Sequence, residues 1–420
     1  MNVRAVWLFG VVGLALGAGC ARETPGAASM SVIPTLRSAA SPAGAGAPRR
    51  ALFPPTPSGV HLNLVFNYGV KNVDSEIGVV DLVWGADAPR PRHVFNFNYT
   101  TFQREDVYGS NHSERWWKLH HPDWIEYKCD RKTISYGFGE PNMPFDIANP
   151  AVWAYQRLTA VDPPLKAGYQ GVAFDNVDLT NDDGRCGHYA SDGAWVQQYS
   201  GNYGDARYSR DVLAWARSTY AYVHAFSSKA TMAMNFSYQF ASSFAENYAL
   251  ATQTDLDLAE SGFTNWGGPP NVTTPQEWSA IVKLVQALQA HGTCFMENGE
   301  EPGLSKDISQ AERLWVVGNY LLTRDSCTYM WISGFTASNQ QDYGVLLLYP
   351  EYKLPIGAPS GEMTAEAGAW TRTYSGGIAI VNPSERAVTV PLHGAYEDEN
   401  GTSYSGSIRL PATSAQILLK

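Results

Sequence analysis

What this 420-residue chain lacks narrows its function before any motif is considered. No glycine-rich phosphate loop follows the first strand-like run, although glycine itself is plentiful, which argues against a dinucleotide-binding fold. Basic charge is short. The 30 Lys and Arg face 40 Asp and Glu, and a formal net charge of −10 repels a phosphate backbone, so nucleic acid is not an expected partner. Neither CxxC nor a His-rich spacing is present, so no metal site and no cofactor is expected. The adjacent pair His120 and His121 cannot both point one way on a regular element and reads as surface decoration. Charged residues are few, at 17%, while hydrophobic residues make up 44%, so a sizeable core is expected and disorder is not.

A long membrane-spanning run is also missing. The apolar run AVWLFGVVGLALGAG (5–19) follows Arg4 and is shorter than the ~20 residues a span needs. It reads as a secretory signal. Its end, LGAGC (16–20), resembles a bacterial lipoprotein signal, which implies that Cys20 is lipidated and anchors the protein to a membrane. The protein is therefore expected at the outer membrane or cell surface, or else periplasmic or secreted. Beyond Cys20 four cysteines remain, Cys129, Cys186, Cys294 and Cys327. An even number in an oxidising compartment allows two disulfides in three pairings. Cys129–Cys186 and Cys294–Cys327 are preferred, because each pair falls on neighbouring elements of the architecture below.

Residues 21–58 are rich in Ala, Pro, Gly and Ser and read as a flexible linker after the signal segment 1–20. From residue 59 to 350, short apolar runs alternate with helical stretches. Strands are expected at 60–69, 92–99, 124–128, 171–178, 231–238, 256–263, 293–299 and 327–334. Between the later ones lie helices over 209–228, with Ser209 as cap, and over 274–292. The second has Thr274 as cap, Pro275 at the first position, Glu277 as capping-box partner and Gly292 as stop. A third, over 309–325, repeats the Ser-x-x-Glu start with Ser309 and Glu312. Eight strands alternating with helices suit a (β/α)8 TIM barrel. The remainder, 351–420, carries alternating apolar and polar residues from 370 onward, with turn signals at 382–385, 399–401 and 410–414. It is expected to form a small C-terminal antiparallel β-domain.

Polar residues gather at the C-terminal ends of the expected strands, where such a barrel carries its active site. These are Asn67, Tyr68, Asn96, Asn98, Asp175, Asn176, Asn235, Glu260, Glu297 and Asn298. Two carboxylates among neutral hydrogen-bonding groups, with no metal, fit glycoside hydrolysis. Asp175 follows the apolar run GVAF (171–174) and is the expected nucleophile or charge stabiliser; the structural alternative is a carboxylate capping the loop through the Val177 or Asp178 amide. Glu260 is ranked first as the acid and Glu297 second, with Glu300 and Glu301 crowding the latter and able to raise its pKa. Asn67, Tyr68, Asn98, Asn176, Asn235, Asn298 and Trp331 are the candidates for holding a sugar. Asp146 reads as a helix-initiating residue.

The runs HPDWIEY (121–127), PFDIANPAVWAY (144–155) and GYQGVAFDNVD (168–178) resemble hypothetical glycosyl hydrolase family 15. Its barrels are similar to polygalactosaminidase-like and α-galactosidase-like barrels. The resemblance implies a nucleophile ending strand four and an acid/base ending strand six, which are Asp175 and Glu260. Another large barrel superfamily uses strands four and seven, which would favour Glu297. The expected activity is cleavage of O-glycosidic bonds in an extracellular or envelope polysaccharide. The alternative is a surface lipoprotein that binds carbohydrate without cutting it.

Overall fold

The computed structural model describes residues 50–53, 65–66, 80–86, 88–89, 95–101, 112–137, 143–265, 272–335 and 345–420. Its centre is an eight-stranded sheet in which every paired neighbour is parallel. The strands are β1 (Val65–Phe66), β2 (Leu82–Trp84), β3 (Phe95–Thr101), β4 (Gly171–Asp175), β5 (Thr231–Asn235), β6 (Leu256–Ala259), β7 (Cys294–Pro302) and β8 (Thr328–Phe335). They lie in that order across the sheet. Among the described residues no hydrogen-bonded pairing joins β1 to β8.

Helices α1 (Glu114–His120), α2 (Pro150–Gln156) and α3 (Asp162–Ala167) separate β3 from β4. Helix α4 (Ala206–Phe226) precedes β5, α5 (Phe244–Ala251) precedes β6, α6 (Pro275–His291) precedes β7 and α7 (Gln310–Thr323) precedes β8. The ends of α6 form as its sequence dictates. Thr274 and Glu277 close a capping box, Pro275 opens the helix, and Gly292 stops it at φ 95°. Ser309 and Glu312 do the same for α7. For α4 the cap is Asp205, not Ser209. The Asp205 carboxylate accepts from the Arg207 and Tyr208 amides, so the helix starts three residues earlier and Ser209 lies inside it.

Strand order corrects the sequence reading in one place. WIEYK (124–128) is not a strand of the parallel sheet. Tyr127–Lys128 instead pairs antiparallel with Arg185–Tyr189, which pairs with Trp195–Gln197, in a separate three-stranded sheet. The unanticipated β2 takes a place in the parallel sheet, so Gly171–Asp175 is still the fourth strand. Both preferred disulfides are present. Cys129–Cys186 staples the three-stranded sheet, and Cys294–Cys327 joins the starts of β7 and β8.

The sheet has two distinguishable faces. Phe174 of β4 meets Trp215 of α4 edge-on, with ring centroids 4.9 Å apart, so even-numbered β4 residues face the helices. Gly171, Ala173 and Asp175 face the other way. Gly171 has no room for a side chain: a Cβ there would lie 2.5 Å from both the Phe97 ring and the Thr231 hydroxyl. That close approach lets Phe97 of β3 fill the inner layer beneath the polar rim.

The C-terminal residues form a six-stranded antiparallel sheet, as expected. Its strands are β9 (Thr364–Glu366), β10 (Ala369–Tyr374), β11 (Gly377–Asn382), β12 (Val388–Glu397), β13 (Ser403–Leu410) and β14 (Ser414–Leu419), in the order β9-β10-β11-β14-β12-β13. The three turn signals fall in the connections β11–β12, β12–β13 and β13–β14. The sheet packs on α7, where Gly318 lets Ala415 approach so closely that an added Cβ would lie 2.6 Å from the alanine's own.

Candidate active site

Three neighbouring strands end in polar side chains that touch. Asp175 is the last residue of β4, Asn235 the last of β5, and Glu260 follows the last residue of β6. The Asn235 side-chain nitrogen donates to Asp175 Oδ1 at 2.7 Å and to Glu260 Oε2 at 2.6 Å. Both hydrogens of one amide nitrogen thus serve two carboxylates. From β3, the Tyr99 hydroxyl donates to Asp175 Oδ2 at 2.7 Å. Asn176 turns away from β4 with φ 57°, a left-handed conformation that asparagine tolerates better than most residues, and its amide donates to Asp175 Oδ2 at 3.2 Å. The Val177 amide donates to the Asn235 carbonyl at 3.2 Å, so Asp175 is not occupied in capping it, and the Asp178 carboxylate accepts from Gln239.

Glu260 is 9% exposed and Asn235 6% exposed, while Asp175 is half-buried. Two buried or half-buried carboxyl groups share a donor at the C-terminal edge of a parallel sheet. Such a pair can deliver a proton from one group while the other attacks or stabilises a developing positive charge.

Other sequence-derived candidates lie elsewhere. Glu297 pairs in register with Met330 and Ala259, and Gly299 two residues on would drive a Cβ into Val316 of α7 at 2.5 Å. By strand alternation Glu297 therefore faces the helices, away from Asp175. Among the described residues neither of its buried carboxyl oxygens has a hydrogen-bond partner, and burial pushes its pKa well above the usual carboxylate range. The crowding expected from Glu300 and Glu301 is not the cause. Asp257 of β6 likewise faces the helix layer, lining a cavity of about 440 Å³ beside α6, and burial pushes its pKa up in the same way.

Asn98 pairs in register with Val172, on the helix-facing side of β4, so the inner position on β3 belongs to Tyr99. Asn96 is tied by its amide to the Gln170 side chain at 2.8 Å. Asn298 and Trp331 pair across β7 and β8 on the face opposite Glu297, where Asn298 accepts from Ser333 at 3.2 Å. Both are buried, and neither contacts the Asp175–Asn235–Glu260 group through a hydrogen bond between described residues. Asn67, Tyr68 and Cys20 lie outside the described residues. Asp146 does not start a helix, because Asn149 caps α2.

Tyr99 was the residue that sequence reasoning missed. The alternation in FNFNY (95–99) contained it, since Phe97 and Tyr99 must share a face.

Residues 95–378 match the sequence model of hypothetical glycosyl hydrolase family 15. No curated protein matches the chain. Among solved structures it is similar to Eubacterium rectale Amy13B, with 11% identity and a TM-score of 0.48 over 86% of this chain and 94% of that one. A family GH13_31 enzyme gives 11% identity and a TM-score of 0.48, over 86% and 99% of the two chains. A GH31 dextranase from Flavobacterium johnsoniae gives 10% and 0.42, over 90% and 52%.

Proposed function

The chain belongs to hypothetical glycosyl hydrolase family 15, and from that premise we propose that it cleaves O-glycosidic bonds of an extracellular or cell-envelope polysaccharide through Asp175 and Glu260. The observation that carries this reading is the Asn235 amide shared between the two carboxylates.

Asp175 is the nucleophile. Its position on a rigid strand end fixes it, and the hydrogen bonds from Tyr99, Asn235 and Asn176 orient both of its oxygens toward one approach. Glu260 is the acid/base. In the first step it gives its proton to the leaving glycosidic oxygen while Asp175 bonds to the anomeric carbon. In the second it takes a proton from water, which attacks the same carbon and releases Asp175. Hydrogen bonds of 2.7 and 2.6 Å to one nitrogen keep the nearest oxygens of the pair close. That favours the ~5–5.5 Å carboxyl spacing of retaining enzymes over the ~6.5–9.5 Å of inverting ones. This reading also closes the parallel sheet into a (β/α)8 barrel, with β1 beside β8, and keeps Asn67 and Tyr68 as sugar-binding candidates on sequence grounds. Asn298 and Trp331 then serve the far side of the sugar site.

We place the enzyme outside the cytoplasm, tethered by lipid at Cys20 through a linker shorter than the 21–58 read from the sequence, because Arg50–Leu52 form a 3-10 turn and the buried Phe53 stacks on Phe95 with ring centroids 4.9 Å apart. The apolar run 5–19 supports this, as do two disulfides of a kind that persists in oxidising compartments.

The roles separate experimentally with aryl glycosides. Glu260→Gln should lose ~10²–10⁴-fold on poor leaving groups, keep far more activity on dinitrophenyl glycosides that need no acid, and form glycosyl azide of retained configuration when azide is added. A Glu260→Gln enzyme equally active on both substrate types would remove Glu260 from the reaction.

A further inference from the structure

Away from the proposed catalytic group, three extended segments of the side sheet bring a second set of charged side chains together. The Glu126 amide donates to the Pro144 carbonyl at 3.1 Å, and the Asp146 amide to the Trp124 carbonyl at 2.8 Å. Tyr127, next to Glu126, pairs with Gly187, next to His188. The Cys129–Cys186 disulfide locks the Glu126 segment, which lies in the middle, to the His188 strand. As a result Glu126, Asp146 and His188 each offer a ligand atom, and these atoms all lie within 4.8 Å of one another.

Glu126 is the informative member. It is fully buried, yet neither carboxyl oxygen has a hydrogen-bond partner among the described residues. The nearby buried Arg185 directs its N–H groups elsewhere, to the Phe145 carbonyl at 2.9 Å and the Asp183 carboxylate at 3.2 Å. An ionised buried carboxylate facing a second carboxylate with no donor of its own is strongly unfavourable, so Glu126 either holds a proton or shares a cation with Asp146. Asp146 is held for such a role. Its Oδ1 accepts from the Ala148 amide at 2.9 Å and the Gln198 side chain at 2.7 Å, leaving Oδ2 toward His188 Nδ1 at 3.5 Å. That spacing is close to the ~3.4 Å edge of a tetrahedron with zinc-ligand bonds of about 2.0–2.1 Å.

We propose that Glu126, Asp146 and His188 bind a divalent transition-metal cation, Zn2+ above all, as a structural site in the side sheet. Two carboxylate oxygens and one imidazole nitrogen suit Zn2+ better than Ca2+ or Mg2+, which take oxygen ligands. His188 Nδ1 lies 3.1 Å from the Gln198 side-chain oxygen. That oxygen can only accept, so the contact puts the proton on Nδ1; metal capture gives up this hydrogen bond and moves the proton to Nε2. The site is separate from the hydrolytic pair, so its fate does not depend on the glycosidase assignment.

The test uses the full chain, stripped with chelator and titrated calorimetrically with Zn2+, Ca2+ and Mg2+ in parallel. One Zn2+ should bind per chain, more tightly than the other two ions by at least about 10-fold. It should also raise the thermal midpoint by an amount that grows with free Zn2+. Glu126→Gln and, at a partly exposed position, His188→Ala should each weaken Zn2+ binding by about 10-fold or more while the chelated variants keep the wild-type circular dichroism. Absence of stoichiometric Zn2+ binding, wild-type Zn2+ affinity in both variants, or a preference for Ca2+ or Mg2+ would each overturn the proposal.

Discussion

Asn235 places one nitrogen between two carboxylates, and that fixes what its replacement should do. Asn235→Ala removes both hydrogen bonds at once, leaving Asp175 and Glu260 to repel or to drift. On the proposed mechanism, in which the amide orients the reacting groups rather than holding substrate, kcat should fall by about 10²-fold with KM changed much less, as steady-state kinetics on an aryl glycoside would show. Glu297 makes the opposite case. Its folded pKa is raised, so the folded state holds a proton that the unfolded chain releases. The linked stability is fully present below the ordinary carboxylate pKa and is lost as pH rises toward the folded value. Glu297→Gln should abolish that loss, so denaturant titrations across pH 4 to 8 should show the variant gaining on the wild type by up to ~1.4 kcal/mol per pH unit in that window. A constant difference across the range would contradict the buried acid. Asp175 was legible in the sequence because a polar residue ending GVAF has no packing reason to be there. The facing of Glu297, Asn98 and Tyr99 was not. Strands buried on both faces lose the apolar/polar alternation that would tell inside from outside.

At the scale of elements, signals local to the chain were readable and those set by pairing were not. The α6 and α7 capping boxes depend on four consecutive residues, and both formed where the sequence placed them. Thr274→Ala should therefore lower stability by about 1 kcal/mol, measured by denaturant midpoint, with activity retained. The three-residue β2 was missed because so short a run carries no period. WIEYK has strand propensity but pairs with the connection after β4, a partner that nothing in its own residues announces. The disulfides were legible once strands were ordered, because β7 and β8 are neighbours. Replacing Cys294 and Cys327 by serine should cost about 2–4 kcal/mol, readable as a lowered thermal midpoint under non-reducing conditions.

Over the whole molecule, α7 is the shared wall between the parallel sheet and the C-terminal one. Arg372 of β10 donates to the carbonyls of Leu321, Leu322 and Arg324, and the Tyr374 hydroxyl donates to that of Leu321. The end of α7 is thus capped by the other sheet rather than by water. Gly318→Val would push the sheets apart at Ala415 and should destabilise the protein by roughly 1–3 kcal/mol in a denaturant titration, through overpacking rather than loss of a site. The order of the molecule, repeated strand and helix followed by a turn-rich β segment, was plain from the sequence, whereas the seam along α7 required coordinates. That scaffold serves the rim where β4, β5 and β6 end. The most direct test of that rim is reducing-sugar release by wild type and Asp175→Asn, side by side, over a panel of aryl glycosides and bacterial polysaccharides. Wild type should cleave at least one of them, and Asp175→Asn, equally folded, should be slower by about 10³-fold or more. Cleavage by Asp175→Asn at the wild-type rate, or no cleavage of any glycan by the wild type, would contradict the assignment.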